Sequence, residues 1–403
     1  MESSKKFMTA LLTLAMAISF AACGNNTDKD ASKDADKQVE STETADTEKT
    51  EETAEDSEKT DENTEDAEKT DETAENTEDA GKPEVSKVRW NSGTSGNVLV
   101  TIAEEKGYFK DQGLEIENVP ADANADAMTM LSTGKVDVVS NAGTSNPLQQ
   151  ISAGIDLTIF GGHMVQGAMP VVAKKGTEWN GIKDLVGKKF ACNPSYFAFT
   201  GALMDAGVED PLNEVSWETY TDYNDALAAV TRGEVDYALM GTGQCYTVKN
   251  MDDIDIVTWH GEVMPNYSCC RMVAQSDFVK NNPNTIKNIL IALIRAQDFY
   301  EHNKEEALKI HAAKINAKED YVAAYMLDDH YKVHVDPLRK SVERAWGILD
   351  KTGFLKEKAK EINIDDHVNT DLYQEALKEA KEKYGAESKD FYESLEQFYS
   401  END

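Results

Sequence analysis

The chain has 403 residues with 41 basic and 75 acidic side chains, a net charge of −34. That length holds more than one domain's worth of core. No basic face is available to release phosphate counterions or to hold an anionic bilayer, so nucleic acid is excluded as a partner, as is charge-driven membrane binding.

Lys5 and Lys6 precede an apolar run over residues 7–22, which ends in Ala21-Ala22-Cys23-Gly24. A charged start, a short apolar segment and small residues before a cut make a secretory signal. The run is shorter than the roughly 20 residues a membrane-spanning helix needs. Its ending resembles a bacterial lipobox, which implies lipidation of Cys23 and an extracytoplasmic protein held to a membrane, with a Gram-positive surface expected. A plain cleaved signal with a chance Cys is the alternative. Residues 24–84 carry 24 acidic side chains against 7 lysines, and residues 48–77 are three copies of a ten-residue acidic repeat. Between residues 25 and 80 the sole large apolar residue is Val39. Such a stretch has no face to bury, so a disordered acidic linker is predicted.

From residue 85 the pattern alternates strand and helix. Residues 88–91 read as a strand running into a Ser/Gly/Thr loop, followed by a helix from Asn97 with Val98, Leu99, Ile102 and Ala103 on one face. Leu114 and Ile116 mark the next strand, residues 125–133 a helix stopped by Gly134, and residues 136–139 another strand. Ile155, Leu157 and Ile159 form a strand predicted to end at Gly161-Gly162-His163. Strand–helix alternation implies mainly parallel sheets flanked by helices. An echo 99 residues apart, with Gly134, Val136 and Asp137 matching Gly233, Val235 and Asp236, predicts two similar lobes.

Cys192, Cys245, Cys269 and Cys270 are too few for a disulfide scaffold and lack the Cys-x-x-Cys spacing of a zinc ribbon. They read as small apolar residues.

Residues 105–114 (EKGYFKDQGL), 133–137 (TGKVD), 182–189 (IKDLVGKK) and 278–283 (FVKNNP) stand in the order of four motifs of a known family. The set resembles solute-binding proteins of the taurine/nitrate/alkanesulfonate type, which include binders of thiamine precursors and flavins. The resemblance implies a two-lobed periplasmic-binding-protein type II fold that closes on a small solute and feeds the permease subunits of an ABC importer. Residues 85–171 and 276–403 would form lobe 1, residues 172–275 lobe 2. Crossing strands would lie near 171–174 and 272–275, and the tail from 336 would pack on lobe 1. A monomer without cofactor or enzymatic activity is implied. Fungal pyrimidine synthases of similar fold are the enzymatic alternative and a sensory ectodomain the other.

In open parallel sheets ligands sit at strand carboxyl ends. That rule selects the loops 93–97, 143–146, 161–164, 193–197 and 241–244, with Thr94, Ser95, Asn97, Gly143, Thr144, Ser145, His163, Ser195, Tyr196, Phe197, Gly241 and Thr242 as ligand-binding candidates. Helix-start N–H groups and hydroxyls suit a monoanion such as a sulfonate, and Tyr196 and Phe197 suit an apolar body. Simple helix capping is the alternative for Thr94, Ser95, Thr144 and Ser195, and a surface loop for His163. No Arg or Lys lies in the five loops, which disfavours dicarboxylates and phosphates and leaves a monoanion or a neutral heterocycle. His330 and His334 have the i,i+4 spacing of two metal ligands on a helix. Charged residues on a solvated helix explain them without one, and no metal is expected.

Overall fold

The computed structural model describes residues 81–91, 93, 97–120 and 126–403, all within one compact unit, Ala74–Asp403. The signal segment, Cys23, most of the acidic stretch and the candidates Thr94 and Ser95 lie outside the described residues.

The strands are β1 (Lys87–Asn91), β2 (Glu115–Asn118), β3 (Val138–Gly143) and β4 (Leu157–Gly167). They continue with β5 (Pro170–Lys174), β6 (Lys189–Ala191), β7 (Ser216–Glu218) and β8 (Tyr237–Leu239). Last come β9 (Ile254–Trp259), β10 (Cys270–Gln275) and β11 (Tyr331–Val333). They form two sheets, β11-β4-β10-β3-β1-β2 and β7-β6-β8-β5-β9. Both follow one plan. A central strand (β1 or β6) pairs in parallel with two neighbours, and then an antiparallel strand arriving from the other lobe is inserted (β10 or β5).

The echo has a shared local cause. The backbone N–H of Arg89 in β1 donates to Asp137 Oδ2 at 2.9 Å, and that of Lys189 in β6 donates to Asp236 Oδ2 at 2.8 Å. Each aspartate N–H returns a bond to the same residue's carbonyl. Gly134 and Gly233, at φ 70° and 77°, end the preceding helices in the left-handed region that glycine enters without strain.

Four expectations are corrected. Residues 161–164 are not a loop but the middle of β4, buried along its whole length. The two glycines there serve close approach rather than a turn, since a Cβ on Gly162 would stand 2.4 Å from the Asp336 carbonyl oxygen. The lobes do not cross at 171–174 and 272–275, which lie inside the second and first sheets as β5 and β10. The chain crosses at Ala168-Met169 and over residues 260–269, where Ala168, Asn266 and Ser268 hold positive φ of 45°, 49° and 65°. Non-glycine residues rarely sit there. The linker does not extend to 84: Glu84 accepts from the backbone N–H groups of Asn284 (3.0 Å) and Thr285 (2.8 Å). It thereby caps the 20-residue helix Pro283–His302 at the heart of lobe 1.

The fourth concerns the histidine pair that precedes the tail. The helix Asp371–Tyr384 packs on lobe 1, where Lys287 meets Glu379 at 3.1 Å. The helix Arg339–Lys351 also reaches the other side, with Arg344 donating to the carbonyls of Pro265 and Asn266 in the second crossing. His330 and His334 flank β11 instead of sharing a helix. His330 bridges Asp328 (2.7 Å) and Glu262 (3.1 Å) and stacks on Trp259, whereas His334 is buried against Phe398. Among the described residues no group of three metal-ligating side chains occurs.

Candidate functional site

A cavity of about 640 Å³ lies between the two sheets. Its lobe 1 wall comes from the end of β3 and the start of the helix Ser145–Ser152. Its lobe 2 wall comes from the start of the helix Phe197–Asp205 and the turn after β8, with Tyr223. The two crossings supply Met169, His260 and residues 267–269, β10 supplies Cys270, and the segment after Lys314 supplies Ile315, Ala317, Tyr321 and Tyr325.

Of the sequence candidates, Gly143, Thr144, Ser145, Tyr196, Phe197, Gly241 and Thr242 meet in this cavity. Ser195 stands behind the wall, its carbonyl accepting from Ser145 Oγ at 2.5 Å across the lobes. Asn97 is buried at the start of its helix and does not line the cavity. Nor does His163, which lies within β4, where burial pushes its pKa down to about 3.

The hydroxyls are already engaged. Thr144 donates to the Ser268 carbonyl and lies 3.0 Å from Ser268 Oγ, and Thr242 donates to the Gly167 carbonyl. Cys245 Sγ donates to the Ala168 carbonyl at 3.0 Å. Thr144 and Thr242 in the wall, with Cys245 outside it, therefore tie the lobes to the crossings and to the end of β4. The Thr144 side chain makes no capping hydrogen bond to its helix.

Among the described residues no Asp, Glu, Lys or Arg lines the cavity. Arg271 is completely buried beside the wall, and its guanidinium is committed to the carbonyls of Met164, Asp336 and Pro337 at 2.9–3.0 Å. Burial lowers its pKa to about 10, which leaves it charged at neutral pH. Burial also raises the phenols of Tyr196 and Tyr223, which hydrogen-bond to each other. The Cys269 and Cys270 sulfurs lie 3.6 Å apart. The Cys270 hydrogen bond lowers the Cys269 thiol and raises its own.

Sequence reading missed Asn141, Tyr223, His260, Tyr267, Tyr321 and Tyr325 in the wall. His260 had a usable signal, because it directly follows the strand β9, whose apolar alternation is plain in the sequence. The tyrosines had none, since they reach the cavity through long-range packing.

Two sheets of one plan, joined by two crossings around a cleft, define a bilobed binding-protein fold. Solved structures share it. An aliphatic sulphonate-binding protein from Escherichia coli is 17% identical and matches with a TM-score of 0.60 over 71% of this chain and 92% of its own. A nitrate-binding protein from Synechocystis is 16% identical, with a TM-score of 0.58 over 73% of this chain and 89% of its own. A 4-amino-5-hydroxymethyl-2-methylpyrimidine phosphate synthase from Schizosaccharomyces pombe is 22% identical over 263 residues, 59% of this chain and 67% of that one. The chain belongs to the NMT1/THI5-like family, matching it over residues 97–307.

Proposed function

We propose that the protein is an extracytoplasmic solute-binding component of an ABC importer, held to the membrane by a lipid on Cys23. In this reading it captures one neutral, flat heterocycle between its lobes. The observation that carries it is the half-open cavity lined by both lobes, aromatic and, among the described residues, without an Asp, Glu, Lys or Arg side chain. Flat aromatic walls favour stacking on a planar solute. A sulfonate or nitrate would sit there with only helix-start N–H groups and no cation to offset its desolvation. The fold of transport proteins and the family membership support the binding role, and the signal-like start supports the location. The working unit in this reading is a monomer that docks on permease subunits.

A second reading, a pyrimidine-forming synthase, is favoured by the fungal relative and by the paired thiols in the wall. A thermal-shift screen of the purified protein against aminopyrimidines, flavins, taurine and nitrate separates these readings. The expected result is a rise of several degrees for one neutral heterocycle and none for the anions, with the hit recovered unchanged after release. A rise with taurine or nitrate alone would sink the neutral-solute reading. Conversion of the hit would establish the synthase.

A further inference from the structure

We propose that Cys269 and Cys270 are a redox modification site: a small peroxide entering the cleft closes their sulfurs into a disulfide between neighbouring residues, and added thiol reopens it. The step does not depend on which solute the cleft takes, and it goes beyond the binding role.

Successive side chains of an extended chain point to opposite faces, which keeps the sulfurs of neighbouring cysteines apart. Here the chain departs from that pattern. Ser268, just before the pair, holds a left-handed φ of 65°. Between Cys270 and Arg271 the strand β10 slips its register against β4. The two sulfurs end 3.6 Å apart, with the Cys270 thiol donating to Cys269 Sγ. Both residues belong to the wall of the half-open cavity and keep 9% and 6% of their surface, which suits an oxidant little larger than water. Cys192 and Cys245 stand outside that wall.

Cys269 is the attacking sulfur. The Cys270 hydrogen bond favours its thiolate, helped by the Tyr267 hydroxyl and the charge of Arg271. Burial instead pushes the Cys245 thiol up to about 12 and raises that of Cys192. The Cys269 thiolate attacks one peroxide oxygen and the O–O bond breaks. The departing hydroxide takes the thiol proton and leaves as water, and Cys269 becomes a sulfenic acid. The Cys270 sulfur then attacks Cys269: the S–S bond forms, the S–O bond breaks, and a second water carries off the oxygen with the Cys270 proton. The two sulfurs lose two electrons and the peroxide gains them. Neighbouring Cα atoms stand about 3.8 Å apart, short of the roughly 4.4 Å that relaxed disulfides span. The bond is therefore strained and readily reduced, the property of a regulatory disulfide and not of a structural one. Its strain falls on the cleft. The Cys269 carbonyl accepts from the Thr144 N–H, and the Cys269 N–H donates to the Val165 carbonyl, both at 3.1 Å. Oxidation thus pulls on the lobe 1 wall and on β4 together. So small a ring constrains the unfolded chain little, and nothing offsets the strain.

The test treats the reduced full chain, freed of reductant, with hydrogen peroxide, unfolds it in an alkylating agent and maps its peptides by mass spectrometry. The peptide carrying Cys269 and Cys270 is expected to lose two hydrogens and take no alkyl group, while Cys192 and Cys245 are alkylated. Dithiothreitol should restore both thiols. The oxidised protein should melt a few degrees below the reduced one and recover on reduction. Cys270→Ser keeps the attacking sulfur and a donor beside it. Under peroxide it should trap dimedone at least about tenfold faster than Cys269→Ser. Alkylation of both cysteines after peroxide overturns the proposal. So does their oxidation to separate sulfinic acids, or a bond from either to Cys192 or Cys245. Each of these results leaves the binding role standing. The reverse order of trapping overturns the assignment of Cys269, and an unchanged melt overturns the strain on the cleft wall. Should a serine variant not fold, the wild-type peptide map decides alone.

Discussion

Thr144 and Thr242 each join a lobe to a crossing by one hydroxyl, and that fixes what their removal does. Thr144→Val strands the Ser268 carbonyl and Thr242→Val the Gly167 carbonyl, both buried. Each variant should lose about 0.5–1.5 kcal/mol of stability in denaturant melts. Solute affinity should fall only as far as the crossings loosen. Unchanged melts with a large loss of affinity would return these hydroxyls to the ligand. Acid sensitivity is also set residue by residue. Burial depresses His163, His260 and His334 to about 3 and His311 to about 4. The unfolded chain takes up those protons near pH 6.5, so their contribution to stability falls as pH drops from about 6.5 towards 3. Asp336 acts the other way. Burial raises it to about 6, so its contribution falls as pH rises from the ordinary aspartate range. Four imidazoles outweigh one carboxyl, and the melting temperature at pH 4.5 should lie several degrees below that at pH 7. A flat profile from 7 to 4.5 would contradict the burial of these rings.

At the scale of elements, β4 shows where sequence reading stops. The pair Gly161-Gly162 looks like a turn, because chain breaks and close approaches use the same residue. Only the packed segment 334–336, brought in from more than 170 positions away, shows which applies. The element types and order up to β3, the paired lobes and their Gly-x-Val-Asp signature were legible, since each depends on periodicity or a local cap. The inserted strands β5 and β10 were recognised as strands but assigned to the wrong role, because sheet order is not a local property. The same logic left four wall tyrosines, Tyr223, Tyr267, Tyr321 and Tyr325, and Asn141 unread, while the loops after β3 and β8 followed from strand-end position alone. Two glycines test the packing account. Gly162→Ala sets a methyl 2.4 Å from the Asp336 oxygen and 2.8 Å from the His334 oxygen, backbone atoms with no room to move. It should destabilise by roughly 3 kcal/mol or more. Gly347→Ala, inside the helix Arg339–Lys351 with nothing within 4 Å of the added methyl, should stabilise by about 0.5–1 kcal/mol. Similar melts for the two variants would refute the close approach at β4.

For the whole molecule, the excess of acid and a cleft without charged side chains among the described residues act together. The acidic exterior sets up a field that repels anions and leaves neutral solutes untouched. Capture then depends on diffusion and fit, without electrostatic steering, and the measured association rate should be nearly independent of ionic strength. Between about 0.01 and 0.5 M salt the Debye length shrinks roughly sevenfold. Over that range the dissociation constant for a neutral solute should change by less than about twofold, whereas an anion would bind more readily as the salt screens the exterior. Stopped-flow association at the two salt concentrations reads this directly, and a steep slope would mean that charge enters the cleft with the solute. In the neutral-solute reading, a cleft without charged side chains among the described residues ties uptake to solute concentration and not to the salinity of the surroundings.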